Sequence, residues 1–507
     1  MTKKQYRPWA PDQTYLIPPS PRDWLPEGHL AYFILEVVDE LDLSAIEDAV
    51  QAKDPRGQQP YHPQMMVAVL LYSYATGTFS SRRIARATYE DVATRFIAGG
   101  QHPFFTRIAA FRRDHLAALG QLFGQAVRLC ARAGLVKLGH VSLDGTKIKA
   151  SASKHRAMSY DRMKKDEQRL QAEIEELLKR AEAADASEDA ELGAENDGTD
   201  IPEELRRRES RLALIRKAKS ELEEEARKGR AEALREQAER LEAKAATHPD
   251  ARQKKTAATL AAKRKVDAEA LDPHSDEDPP EDGDHGGPTL PLHRPPAEPS
   301  GEPKEKAQRN FTDPDSRIMV DGEGAFVQAY NAQAAVEEGS QVIVATGVSN
   351  QPPDNEYLQP VVAEIEQTAG ALPEALTADA GYWSPGNAAW CEERGIDAYI
   401  SVSRQRHGPA PPEVADALEP DEPEDPTPKE KMAAKLESKK GREMYKKRKT
   451  TPEPVFGQIK EARRFRRFSF RGLVAVRHEW NIVCATHNLL KLFRACPGGR
   501  LALTPAG

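Results

Sequence analysis

Three acidic residues, Asp144, Asp379 and Glu453, are of a type that could do chemistry, and the surroundings of the last say most. The stretch Tyr445 to Arg467 reads YKKRKTTPEPVFGQIKEARRFRR. Thr451 is suited to an N-cap and Pro452 to the first helical position, so a helix is expected to begin there. At 100° per residue Val455, Ile459 and Ala462 share one face, and Glu453, Gly457, Lys460 and Arg464 share another. One carboxylate, one residue without a side chain and two cations have the makeup of a metal ligand, a point of close approach and two phosphate contacts. Residues 441–470 hold ten Lys or Arg and three Glu, a local charge of +7. Taken alone, the stretch is equally a solvated basic helix whose Glu453 favours the positive end of the helix dipole. Asp144 lies in KLGHVSLDGTKIK, read as a strand that ends or bulges at Asp144-Gly145. Asp379 closes the short strand in EALTADAGYWS.

The elements that must position these residues are spread along 507 residues, a length that suits about three domains. The chain is 30% charged and 6% aromatic, so part of it is not packed core. The net charge of −7 argues against a nucleic-acid partner until its distribution is examined, because residues 271–286 alone carry seven acidic residues and no Lys or Arg. Local charge is the better guide. The cysteines, Cys130, Cys391, Cys484 and Cys496, form no CxxC pair, which points to neither a zinc site nor a disulfide framework. The first residues lack an apolar signal-peptide core and no run is long enough to span a membrane, so the expectation is a cytoplasmic protein without a membrane partner.

Residues 1–135 read as an all-helical N-terminal domain. Arg82, Arg83, Arg86, Arg95, Arg107, Arg112 and Arg113 concentrate its positive charge, which suits DNA contact; helical dimerisation with solvated arginines is the alternative. Residues 151–270 read as a coiled-coil insertion. Met163, Leu170, Ile174, Leu177 and Ala181 form one seam, with Leu205, Leu212, Ile215, Leu222, Leu234 and Leu241 continuing it. Two antiparallel helices forming an arm are expected. Residues 271–309 are acidic and Pro-rich and are expected to be disordered, and 407–440 reads as a surface insertion. In the final amphipathic helix, His487 reads as a satisfied core histidine.

With the excursions removed, 136–150 and 310–495 run strand, strand, strand, helix, strand, helix, strand, helix. An antiparallel meander followed by parallel strands with right-handed crossovers is the order of an RNase H-like α/β (α+β) fold. In that fold Asp144 and Asp379 lie on neighbouring strands, and the helix from Thr451 could bring Glu453 beside them. Asp313, Asp315, Asp321 and Asp354 are rival carboxylates, set aside because their segments read as loops.

These residues resemble a DDE transposase of a bacterial insertion sequence. YHPQMMVAVLLYSYATGTFSSRRIA and TRIAAFRR are similar to the family's helical N-terminal domain. VSLDGTKIKASAS and TADAGYWS resemble the segments of its two aspartates. YKKRKTTPEPVFGQIK resembles its tyrosine–arginine–glutamate–lysine signature, and Tyr330-Asn331-Ala332-Gln333 is also similar. Tyr445, Arg448, Glu453 and Lys460 match that signature with one extra residue between Arg and Glu, so Arg448 or Lys449 fills the basic role. The resemblance implies that Asp144, Asp379 and Glu453 hold two Mg2+ or Mn2+ ions. It implies cleavage at the element's inverted-repeat ends and attack of the freed 3′-hydroxyl on target DNA. Tyr445, Arg448, Lys449, Lys460, Arg464, Arg82 and Arg83 are then DNA-binding. Partners are double-stranded DNA and, from the symmetry of two ends, a second copy of the chain, in the bacterial nucleoid. A non-catalytic DNA-binding regulator, a metal-dependent nuclease of the same fold and a coiled-coil scaffold are the competing readings.

Overall fold

The computed structural model describes residues 21–52, 59–192, 203–272, 288, 290–403 and 426–503. The expectations for 273–287 and for the first part of 407–440 fall outside the described residues.

Helices come first: α1 (Leu30–Glu40), α2 (Ser44–Gln51), α3 (Pro63–Ala75), α4 (Ser81–Glu90), α5 (Val92–Ile97), α6 (Phe105–Asp114) and α7 (Leu116–Arg132). Helix α3 is apolar on nearly every side and is buried from Met66 to Ala75, as a central helix must be. Asp91 separates α4 from α5 by accepting a bond from the Thr94 amide, 2.6 Å. Gly134, at φ 74°, turns the chain after α7.

β1 (His140–Lys149) enters the sheet. The chain then leaves through β2 (Ala157–Ser159), α8 (Tyr160–Leu192), α9 (Glu203–Thr247) and α10 (Ala251–Leu271), and returns at β3 (Gln308–Asn310). β2 and β3 pair antiparallel, so the arm departs and comes back at one point. The first part of its seam is the expected one, Met163, Leu170 and Ile174 packing with Leu212 and Ile215, but Leu222 packs instead with Tyr160 and Ala307, and Leu234 with Ala268. The arm contains a third helix, however. α10 packs on α9 through Ala257, Ala261 and Ala268, small residues that carry little hydrophobic signal. The disorder expected over 271–309 does not hold for 290–309. Leu290 is 1% exposed, Arg294 bonds Glu236 at 2.8 Å, and Arg309 pairs with Glu221 at 2.9 Å. A few apolar anchors, Leu290 in the main core and Ala307 against Tyr160 and Leu222, hold this segment together with its charge pairs to the arm.

The sheet continues with β4 (Arg317–Val320), β5 (Phe326–Glu337), β6 (Ile343–Ser349), β7 (Ala375–Ala378) and β8 (Asp397–Ile400), with α11 (Leu358–Ala369) and α12 (Pro385–Glu393) as crossovers. Its order is β4-β5-β1-β7-β8, with β6 also on β5. β1 is antiparallel to β5 and parallel to β7. This is the expected RNase H-like arrangement. The expected break at Asp144-Gly145 is absent: β1 stays paired with β5 through Lys149. Gly145 has a packing role instead, because a Cβ there would lie 2.6 Å from Gln333 Nε2.

Next come α13 (Pro428–Glu437), α14 (Lys439–Thr450), α15 (Pro452–Gly457) and α16 (Leu473–Ala495). α16 packs on α3, α7 and β6, so helical layer and sheet share one core. Trp480 is fully buried and its Nε1 donates to Gln333 O at 2.9 Å. His487 is buried as expected, with Nε2 3.0 Å from Gln341 O.

The α7–α16 crossing is close at Gly120, where a Cβ would fall 2.4 Å from His478 Nδ1. Gly120→Ala is expected to lower the melting temperature, since overpacking of this kind costs about 1–3 kcal/mol. Gly124→Ala one turn on, where the nearest atom is 3.5 Å away, is expected to leave it unchanged or raise it. Equal loss in both variants would contradict the tight crossing.

Candidate active site

Strand register brings the two aspartates together. In the parallel β1–β7 pair Leu143 faces Ala378, so Asp144 and Asp379 are the next residues on adjacent strands. β7 ends there. Asp379 Oδ1 accepts the Gly381 amide at 2.8 Å and caps the short turn Ala380–Tyr382. Asp144 Oδ1 accepts the Gly145 amide at 2.9 Å. Its side chain is 16% exposed, and Oδ2 lies 3.5 Å from Arg448 Nη1.

The charges are not independent. Burial pushes the Asp144 carboxyl up to about 7; Arg448 pulls it down, while Asp379 and, less strongly, Asp354 add to the rise. Burial disfavours the Arg448 charge, but Asp144, Tyr445, Asp379 and Glu453 together hold the guanidinium above its usual value. All three carboxylates named from the sequence therefore act on one cation. Tyr445 presents its ring 5.9 Å from that guanidinium. Glu453 is exposed in the first turn of α15. Among the described residues no three side chains of His, Cys, Asp or Glu form a group that could hold a metal ion. The arginine, rather than a shared ligand position, links the carboxylates.

The segment around Glu453 differs from the sequence expectation. Thr451 caps nothing with its side chain, because helix already precedes it in α14. Its Oγ1 donates to Lys447 O at 2.9 Å and marks a bend between α14 and α15. Val455 and Ile459 are fully buried, but a π-turn at Gln458–Ala462 leaves Ala462 exposed. Arg464 lies beyond that turn, exposed and at φ 61°, so it does not continue the Glu453 stripe. Arg463 takes the inward position, donating to Tyr74 O at 3.2 Å and Val483 O at 3.0 Å. Lys460 is half-buried; burial lowers its pKa, and Glu461, Asp321 and Asp144 oppose that. Lys449, with Tyr445, Lys446, Arg442 and Ser401, lines a cleft of about 490 Å³. Arg82 and Arg83 are exposed on α4 in the helical layer, Arg82 over the Phe105 ring at 5.0 Å.

Of the rival carboxylates, Asp313 and Asp315 receive the Gly472 and Leu473 amides at 3.1 and 2.8 Å and so anchor the start of α16. Asp354 is different. Its Oδ1 accepts from Asn331 Nδ2 at 2.6 Å and from Gln333 Nε2 at 3.0 Å, with Lys147 Nζ at 3.4 Å. Its loop reading was sound, but loop position did not keep it from the aspartate pair. The Asn331–Gln333 segment was the available signal.

Two family models match the chain: Transposase DDE domain over residues 298–489 and Transposase domain (DUF772) over 19–114. The first span includes Asp354, Asp379 and Glu453 and begins after Asp144. No curated protein and no solved structure matches.

Asp144 has a consequence for stability. Its folded-state value near 7 exceeds an unfolded value of about 4. Folding therefore loses stability as pH rises from about 4 to 7, and the loss is constant above that window. Asp144→Asn is expected to raise the melting temperature at pH 8 and leave it unchanged at pH 4. A lower melting temperature at pH 8 in thermal denaturation would contradict the assigned shift.

Proposed function

The chain belongs to the DDE transposases of the insertion-sequence type, and we propose that it cuts element ends and joins the freed 3′-hydroxyl to target DNA at Asp144, Asp379 and Glu453. The family is a DNA-cleaving and strand-transferring one; the residues and the course of the reaction are our reading. The adjacency of Asp144 and Asp379 on parallel strands carries it.

The donor set fits divalent metal. Carboxylate oxygens are hard ligands of the kind Mg2+ and Mn2+ prefer, and strand register sets two of them, on Asp144 and Asp379, on adjacent strands. Asp144 and Asp379 would hold the metal, and Glu453, which forms no group with them in the free protein, would have to move in to join them. Two bound ions would activate the attacking oxygen and stabilise the leaving one in each phosphodiester exchange.

The chain's own residues do the rest. Arg448 neutralises the carboxylates in the free protein and is positioned to exchange Asp144 for a phosphate of bound DNA. Tyr445 orients that guanidinium through its ring. Lys460 adds a second cation beside the pair, with Lys449 and Arg464 extending the basic surface. Arg82 and Arg83 would grip DNA from the helical domain at 1–135. Two element ends argue for action as a homodimer. A burial that favours neutral Asp144 also makes metal uptake expel a proton, so cleavage is expected to rise with pH through about 7.

A supercoiled plasmid carrying the element's ends tests this reading. Transfer of cut ends into target DNA supports it; cleavage without joining would favour a nuclease, and binding alone a regulator. Asp144→Ala, Asp379→Ala and Glu453→Ala are each expected to abolish cleavage and spare DNA binding. Full cleavage by any of the three would remove that residue from the site. Arg448→Ala is expected to weaken DNA binding and to flatten its salt dependence by about one phosphate contact.

A further inference from the structure

A polar network buried under the aspartate pair has no part in the reaction above. We propose that Asp354 is a positioning residue for Asp144 and Asp379, acting through Lys147, Asn331, Gln333 and Tyr382; this rests on the metal reading of that pair.

Asp354 comes from the loop between β6 and α11, yet its side chain is only 20% exposed. One oxygen gathers donors from two strands. Asn331 and Gln333 come from β5 and Lys147 from β1. The register makes them a block, with Lys147 opposite Asn331 and Gly145 opposite Gln333. The loop holds Lys147 a second time, because its Nζ donates to Pro352 O at 2.8 Å.

The block touches both aspartates. Toward Asp379, Tyr382 Oη donates to Gln333 Oε1, and Tyr382 belongs to the turn that Asp379 caps. A Cβ on Gly381 would lie 2.9 Å from Asp379 Oδ1 and 3.3 Å from Asp354 Oδ2, so both carboxylates flank the same bare backbone. Toward Asp144, the Gln333 amide fills the space that Gly145 leaves open. Four pieces of chain are thus fixed around one carboxylate: β1, β5, the β6–α11 loop and the Asp379 turn.

Charge gives the network a second role. Lys147 pairs with Asp354, and Asp379 and Asp144 also act on it. The Asp354 carboxylate, 3.4 Å from Nζ, is the partner that occupies the ammonium. Without that anion, Lys147 has Asp379 and Asp144 as its remaining carboxylate neighbours and competes with any cation they would bind.

The test is calorimetric titration of Mn2+ into the full-length chain, alongside end-DNA binding and thermal denaturation. Asp354→Asn keeps the shape and removes the charge. Mn2+ binding is expected to weaken by about tenfold or more, with melting temperature and DNA affinity unchanged. Adding Lys147→Met is expected to restore most of the Mn2+ affinity, which loss of a merely structural contact would not allow. Wild-type Mn2+ affinity in Asp354→Asn, or no recovery in the double variant, would overturn the proposal. Tyr382→Phe serves if Asp354→Asn does not fold: it removes one hydroxyl and is expected to weaken Mn2+ binding, and wild-type affinity there would equally overturn it. Asp144→Asn separates the two readings. If it binds Mn2+ like the wild type, the metal assignment itself fails; if it loses Mn2+ while Asp354→Asn does not, only the positioning role fails.

Discussion

The structure turns on one carboxylate that the fold buries. Parallel pairing of β1 with β7 sets Asp144 and Asp379 side by side, and burial removes the water that would screen the Asp144 charge. A buried carboxylate without a partner is costly. Two responses are visible: the Asp144 carboxyl rises to about 7, and Arg448 approaches to 3.5 Å. Both are ways to supply missing positive charge.

The rest of the fold holds that arrangement still. β1 runs unbroken through Asp144 because Gly145 makes room for Gln333. The same Gln333 receives the Trp480 indole on its carbonyl, which ties α16 to the strand beside the site. The Glu453 segment is pinned from below by Val455 and Ile459 and behind by Arg463, whose guanidinium reaches α3 and α16 together. The helical layer is therefore not a separate appendage. It forms part of the wall against which the third carboxylate's helix is set.

Much of this was legible in the sequence. Apolar periodicity gave the N-terminal helices and the arm's first seam, and the strand–helix order gave the sheet. Removing the excursions put Asp144 next to Asp379, which the register bears out. The failures share a physical origin. Sequence reading weighs each residue with its chain neighbours, whereas Gly145, Arg463 and Asp354 are explained by partners far along the chain. Asp-Gly reads as a turn locally, but a strand with a bulky amide opposite needs a glycine for space. On an ideal helix Arg464 would continue the Glu453 stripe, but the π-turn at Gln458–Ala462 and the positive φ of Arg464 take it off that face while Arg463 is buried. Alanine contacts made α10 silent, and a few apolar anchors with long-range ion pairs ordered 290–309 against its composition. The expected convergence of Glu453 on the two aspartates is not made as a three-carboxylate group among the described residues; Glu453 is exposed and reaches them only through the charge of Arg448, which no helical wheel could locate.

The most direct measurement is anomalous diffraction from a crystal of the full-length chain soaked in Mn2+. The account predicts a peak held by both Asp144 and Asp379, with the Arg448 guanidinium withdrawn from Asp144. A fully occupied soak that leaves Arg448 on Asp144, with no anomalous density between the two aspartates, would contradict it.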